Sequence, residues 1–474
     1  PSETIFNEES KDLDFRVESQ NNINMLFVDG AGGANSNGLV TIGGLSGTAG
    51  NESSGYFPLQ VGNTGSGSTV LQMLVASDGF NTIHFGDGVA GTARYRGYLQ
   101  YGMADEIMSF GASAATQMQL SSTALFIGTG VDIRTTTAGT SNFRAGVNAG
   151  SSIASGGNYN VCVGDEAGAA ITTADSNVAV GYQALATEDT LSESVAVGHR
   201  ALNHQNADDS SGGKNVAVGF TAGEAITTGN RNTFLGHRAG VDVDTADGNV
   251  AVGSDALFTN TGGEANTAIG FEALRTSNAN SGFIANTAVG TQSGKAITDG
   301  VLNTLVGANA GLLLQSVNYN TAVGAYALDA CSHGSRTTAI GYASFSNQDY
   351  GTTSTNSFNT GVGFYAGLSN TSGQNNTFLG NETGAFTTTG DKQTFVGSYA
   401  GTGITGIKLT GNNNTAVGYA AGFRLQGVAA ENTLMGSDAG ANVTTALRNT
   451  CLGALATTSL NTGNENTIVG YQAG

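Results

Sequence analysis

The chain has 474 residues, with 73 glycines, 2 prolines, no tryptophan, 39% hydrophobic residues and only 11% charged ones. Two prolines exclude a collagen-like or proline-rich stalk, and this apolar content with so few charges is not the profile of a disordered chain. The net charge of −19, from 17 basic and 36 acidic residues, disfavours nucleic acid and anionic lipid as partners, because both need basic patches.

Residues 1–60 read as a β-rich segment that attaches or caps. Residues 13–18 alternate apolar and charged, the signature of a half-buried strand. Residues 25–28 are a short apolar run stopped by the turn pair Asp29-Gly30. Residues 61–141 form a second β-rich segment, expected to trimerise. Strand-like runs fall at 70–75, 82–85, 95–101, 107–110 and 125–127. Each carries too little apolar sequence for a comfortable monomeric core, which points to oligomerisation.

From residue 142 to 474 the chain repeats. The units end on glycine, from Gly146, Gly164, Gly181 and Gly198 through to Gly436, Gly453 and Gly470, and 12 of the 18 spacings are 17 residues. The cleanest copies are Asn-Thr-Ala-Val-Gly at 286–290, 320–324 and 414–418. A repeat this regular decides the fold class: an all-β, elongated, parallel β-roll or β-solenoid of about 19 coils. At one strand spacing per coil its length is on the order of 90 Å.

With the glycine numbered zero, positions −1 and −2 are both apolar. The repeat core is expected at −1: Val180, Val197, Val218, Leu235, Val252, Ile269, Val289, Val323 and Val417. Successive strand residues point to opposite faces, so two adjacent apolar positions give each strand two apolar faces. One fills the coil; the other needs a cover, and further copies of the rod supply it. A homotrimer is the simplest such bundle. Asparagine usually stands at −4 and either forms a hydrogen-bonding ladder or holds the turn.

These units resemble the head repeats of YadA-like trimeric autotransporter adhesins. That resemblance implies left-handed parallel β-rolls packed as trimers, with a larger turn here because the family's repeats are shorter. Residues 6–19 and 91–97 resemble segments of tail fibres from marine and cyanobacterial tailed phages. That second likeness implies a virion-borne, extracellular fibre, joined at its N-terminus to another tail or baseplate protein and binding a host surface glycan or protein. It also implies that a self-cleaving chaperone domain followed Gly474 and was removed. The alternative is a bacterial autotransporter-type adhesin, which would need a coiled-coil stalk and a membrane anchor.

Insertions mark where function is expected, because loops tolerate length and carry binding residues. The long linkers are 203–214, 275–285, 346–358 and 402–413, all at the same corner of the coil. Candidate receptor contacts are Asn203, His204, Asp208, Asp209, Lys214, Arg275, Asn278, Asn280, Gln348, Tyr350 and Lys408. Aromatic residues at +1, such as Tyr182, Phe220 and Tyr419, could stack on sugars or pack on the next coil.

No catalytic, cofactor or metal site is expected. Residues 242–248 superficially resemble a calcium loop but lack its spacing and closing glutamate. The five histidines show no metal-ligand spacing on a helix. A fibre-borne glycanase using paired carboxylates has only Glu188-Asp189 and Asp208-Asp209 as adjacent acidic pairs in the rod. Cys162, Cys331 and Cys451 read as small buried apolar residues. No signal peptide and no run of about 18 apolar residues is visible, so no membrane insertion is expected.

Overall fold

The computed structural model describes residues 15–19, 22–28, 40–41, 80–85, 97–102, 104–112, 115–123, 125–127, 138–206, 213–277, 282–458 and 460–474. Among them there is no helix. The chain divides into two compact units, Pro1–Asp132 and Ile133–Gly474.

In the first unit, β1 (Phe15–Ser19), β2 (Asn22–Val28) and β3 (Val40–Thr41) form an antiparallel sheet in that order. A separate meander joins β4 (Phe80–Phe85), β5 (Gly97–Gly102), β6 (Ile107–Ala112), β7 (Ala115–Leu120) and β8 (Leu125–Ile127). The strands expected near 82, 95, 107 and 125 are present. The run at 70–75 lies outside the described residues. Strand β7 is additional: its Gln117 and Gln119 alternate with Thr116 and Met118, a contrast too weak to read as a buried and a solvated face. Phe80, Phe85, Leu120 and Leu125 are all exposed on this sheet.

The second unit is a parallel β-solenoid. Nineteen three-residue strands stack into one ladder, from Phe143–Ala145 to Thr467–Val469. The register is strict: Val178, Ala179 and Val180 pair with Val195, Ala196 and Val197 one coil on. We number the coils by their glycines, from Gly146 (coil 1) to Gly470 (coil 19). Insertions lengthen coils without breaking the register, as when Thr338, Ala339 and Ile340 pair with Thr360, Gly361 and Val362.

Two glycine positions make the coil possible. At position zero the backbone has φ near +130°, as in Gly181, and a Cβ there would lie 2.5 Å from the carbonyl oxygen of Gly198 in the next coil. The close approach of backbones therefore demands glycine. At +4 the backbone is left-handed, and glycine stands there wherever a bulky core side chain crosses it. A Cβ on Gly223 would meet Phe234 at 2.7 Å and Leu202 at 2.9 Å.

The interior's bulky side chains come mainly from three positions, −2, +4 and +7, with alanine at +3 buried beside them, as in Ala184 and Ala201. Where +4 is leucine or phenylalanine, as in Leu185, Leu202, Leu257, Leu274, Leu328 and Phe345, position +7 is Glu188, Gln205, Asn260, Ser277, Cys331 or Gln348. Where +4 is glycine, +7 is often Ile, Val or Leu, as in Ile171, Ile226, Val243, Ile297 and Leu314, all buried. A phenylalanine or leucine at −2 goes with glycine at +4 in its own coil and the one before. Phe234 covers Gly223 and Gly240, and Phe378 covers Gly367 and Gly384. Close packing leaves room for a limited volume per coil, and the three positions trade it among themselves.

This trade gives the rod a longer period. Paired coils with leucine or phenylalanine at +4 are 3 and 4, 7 and 8, and 11 and 12, with two glycine coils between successive pairs. The second coil of each pair carries an insertion.

The repeat core lies at −2, not at −1. Ala179, Ala196, Ala217, Phe234, Ala251 and Cys162 have no exposed surface. The residues expected as core, Val180, Val197, Val218, Val252, Val289, Val323 and Val417, are only partly buried, and Leu235 and Ile269 are exposed. The reason is strand length. A three-residue strand has one inward side chain, the middle one, and the −1 and −3 residues share the outer face.

Candidate functional site

The outer strand face runs along the whole solenoid. Along it an apolar row at −1, such as Val180, Val197 and Val218, stands in register through the ladder, beside a −3 row that is valine in coils such as 3 and 4 and threonine from Thr267 on. Leu235, Ile269, Ile340, Leu379, Met435, Leu452 and Val469 are exposed on it.

The ladder of asparagines runs behind this face, inside the coil up to the last rung, Asn466, which is partly buried. Asn177 accepts from the backbone N–H of Ser194 through Oδ1 at 2.9 Å and donates from Nδ2 to the carbonyl of Leu191 at 2.9 Å. Asn232, Asn249, Asn303, Asn320 and Asn432 repeat this pairing to the next coil. Laddering, the first of the two roles open at −4, is therefore present, and each rung satisfies backbone groups that would otherwise be buried without partners.

The rungs change identity at Ser194, Thr337 and Gln393, in coils 4, 12 and 15. Gln393 carries the ladder itself, accepting from the Asn414 N–H; at the other two a glutamine from +7 bridges the gap. Gln205 donates to Ser194 Oγ at 3.0 Å and accepts from Asn215 Nδ2 at 2.8 Å. Gln348 donates to Thr337 Oγ1 at 2.9 Å and accepts from Asn359 Nδ2 at 3.1 Å. The two glutamines splice the ladder where an insertion follows.

This corrects three of the expected receptor contacts. Gln348 is fully buried. Asn203 is buried too, and its Nδ2 donates to the carbonyl of Gln183 at 2.9 Å. Tyr350 turns inward, its hydroxyl donating to the carbonyl of Gly373 at 3.0 Å. Loop position alone does not show which way a side chain turns, and these three satisfy polar groups of neighbouring coils. Arg275 is half-buried against Phe258, with its guanidinium 5.0 Å from the ring centroid and 3.5 Å from Glu272. His204, Lys214 and Lys408 are exposed. Lys214 lies 3.7 Å from Glu193, a pair too exposed to fix anything. Asp208, Asp209, Asn278 and Asn280 lie outside the described residues.

Aromatic rings at +1 stack on one another along the rod. Tyr182, His199, Phe220 and His237 form one column, with centroids 5.3, 4.9 and 5.4 Å apart. Tyr342 and Phe364 stack in a second column at 5.5 Å. A third group, Tyr399, Tyr419 and Phe423, is arranged differently: Tyr399 meets both other rings edge-on.

Glu188, of the acidic pair Glu188-Asp189, is fully buried, accepting from the Leu191 N–H and from Gln205 Nε2. Burial pushes its carboxyl up to about 7. The three cysteines are free and buried as expected, and burial raises the thiols of Cys162 and Cys331 to about 11 and about 12, the reverse of a nucleophilic thiolate. In the segment resembling a calcium loop, Asp244 accepts from Thr227 and Asp247 from the Asn230 N–H. Among the described residues no cluster of His, Cys, Asp and Glu could hold a metal ion. Among them, too, no helix is long and apolar enough to cross a membrane.

Compared with protein-family models, curated proteins and solved structures, the chain matches none.

Proposed function

We propose that the protein is a passive, homotrimeric fibre that extends from a virion and adheres to a host cell surface through many weak contacts. The observation that carries this reading is the outer strand face. Its apolar row runs the length of the solenoid, on the order of 90 Å, and contiguous exposed apolar surface of that kind marks an interaction site. Every coil adds an apolar residue at −1, with valine or threonine at −3 in all but the first, in one register, so neighbouring copies can meet the same pattern along the whole rod, as a symmetric oligomer can use. Two further copies cover that row on a threefold axis.

The insertions support adhesion. They recur in coils 4, 8, 12 and 15 at one corner, about 19 Å apart for a four-coil step. Three chains would present three such rows, and avidity then arises from number and spacing rather than from one tight site. The N-terminal segment joins the fibre to another virion protein in this reading.

Light scattering on the purified protein tests the assembly: a mass three times the chain's 47.6 kDa is expected, and a mass near one chain would refute it. A Val180→Asp, Val252→Asp, Val323→Asp variant places charges on the row without touching the coil interior and is expected to run as a monomer. The trimeric coil also suits an autotransporter-type adhesin. The coding sequence downstream of Gly474 separates the two: a chaperone domain favours the virus, a membrane anchor the bacterium.

A further inference from the structure

In coils 15 to 17 the surface opens into a cavity of about 490 Å³, lined by Tyr399, Tyr419, Phe423, Arg424, Asp438 and Asn442. That is within the size range of small-molecule sites. In the Tyr182 column, neighbouring rings cover one another's faces. His199 and Phe220 lie nearly parallel, at 11°. Here Tyr399 meets Tyr419 at 87° and Phe423 at 74°. The three rings form a corner instead of a column, and Tyr419 stays 56% exposed.

Polar groups of both signs face this corner. Arg424 is exposed and makes no ion pair or side-chain hydrogen bond among the described residues. Asp438 lies in the lining, with Oδ2 accepting from Ser437 Oγ at 2.9 Å. Asn442 donates from Nδ2 to the Thr458 carbonyl at 2.6 Å, which fixes its side chain. One cation and one carboxylate in the same cleft cancel, so the cleft favours a neutral ligand with many hydroxyls. A flat aromatic face beside donors and acceptors suits a ring with an apolar C–H face and a polar rim.

We propose that the Tyr399–Tyr419–Phe423 cleft binds a pyranose residue of a neutral glycan. The apolar face of the sugar lies on Tyr419, Arg424 donates to its hydroxyls, and Asp438 accepts from them. The proposal rests on the adhesive reading above and names what that fibre would hold.

Saturation-transfer NMR on the full chain tests it, with methyl glucosides, galactosides and mannosides as probes and glucuronic acid as the charged comparison. At least one neutral probe is expected to bind with a Kd of about 1 mM. Tyr419→Ala is expected to weaken that binding about tenfold, and Arg424→Ala to weaken it also. Tyr182→Ala removes an equivalent +1 ring from a stacked column and should leave binding unchanged. No transfer from any neutral probe, or an unaltered Tyr419→Ala, overturns the proposal. Preference for glucuronic acid overturns the neutral assignment. Free sugars need no cell, so the two readings fail separately. Adhesion to cells without sugar binding removes only the cleft, and sugar binding without adhesion removes the adhesive fibre.

Discussion

Gln205 donates from Nε2 to Glu188 Oε2 at 2.9 Å, and both side chains have no exposed surface. A carboxyl inside a coil of alanines and leucines is costly to ionise. Burial raises it from 4.5 to about 7, although the hydrogen bonds from Gln205 and Leu191 pull the other way.

The consequence is a pH dependence of opposite sign to that of an ordinary ion-paired carboxylate. Between about pH 4.5 and 7 the folded state holds the proton and the unfolded state does not. Stability therefore falls as pH rises through that window and is level above it. The effect is on the order of 3 kcal/mol. Glu188→Gln keeps the shape and removes the titration. Hydrogen exchange at the Leu191 amide should quicken from pH 5 to pH 7 beyond its intrinsic rise in the parent and not in the variant. Equal profiles would sink the idea.

A second prediction concerns the shared volume of the core. A Cβ on Gly240 would lie 2.6 Å from the ring of Phe234. Gly240→Ala should destabilise by about 2 kcal/mol, part from the φ of +60° and part from the clash. Phe234→Ala alone should cost about 3 kcal/mol through its cavity. Together they should cost less than their sum by about 1 kcal/mol, because the clash disappears with the ring. Additive losses in denaturant unfolding would show that the ring does not set the glycine.

The repeat itself was plain in the sequence, since glycine at a 17-residue spacing admits few folds. What pattern reading could not supply was direction. Val180 and Ala179 are both apolar neighbours on one strand, and hydrophobicity favours the larger as core. The structure puts the alanine inside because the interior also takes Leu185 or Ile171 from other corners of the coil. Gln348 and Glu188 looked like loop residues for the same reason: composition marks an insertion or a turn, and only the paired change at +4 and +7 marks a side chain that points in. That paired change is present in the sequence and could have found both.

Gln348 offers a direct test of that distinction. Its amide joins Thr337 Oγ1 to Asn359 Nδ2 across the break in the asparagine ladder. Gln348→Ala should lower stability by about 1–3 kcal/mol, the cost of buried polar groups left without partners. Binding to a cell surface should be unchanged at temperatures where the variant is folded. Lys408→Ala, on an exposed insertion, should show the reverse. A Gln348 variant that loses adhesion without losing stability would restore it as a contact residue.

Asn370 predicts a gain. It occupies +7 in coil 13, a coil with glycine at +4, where Ile171, Ile226 and Ile297 stand in coils of the same kind. It is fully buried, and among the described residues neither its Oδ1 nor its Nδ2 has a hydrogen-bond partner. Leucine has nearly the same shape and no polar atom to desolvate. Replacing an unpaired buried amide by an apolar isostere should therefore stabilise by about 1–3 kcal/mol. Asn376 is the internal comparison: it is as buried as Asn370, but it donates to Gly390 and accepts from Gln393. Asn376→Leu should destabilise by a similar amount. Thermal unfolding of the two variants should move in opposite directions from the parent. A shared direction would mean that position along the rod, rather than hydrogen bonding, governs what asparagine contributes.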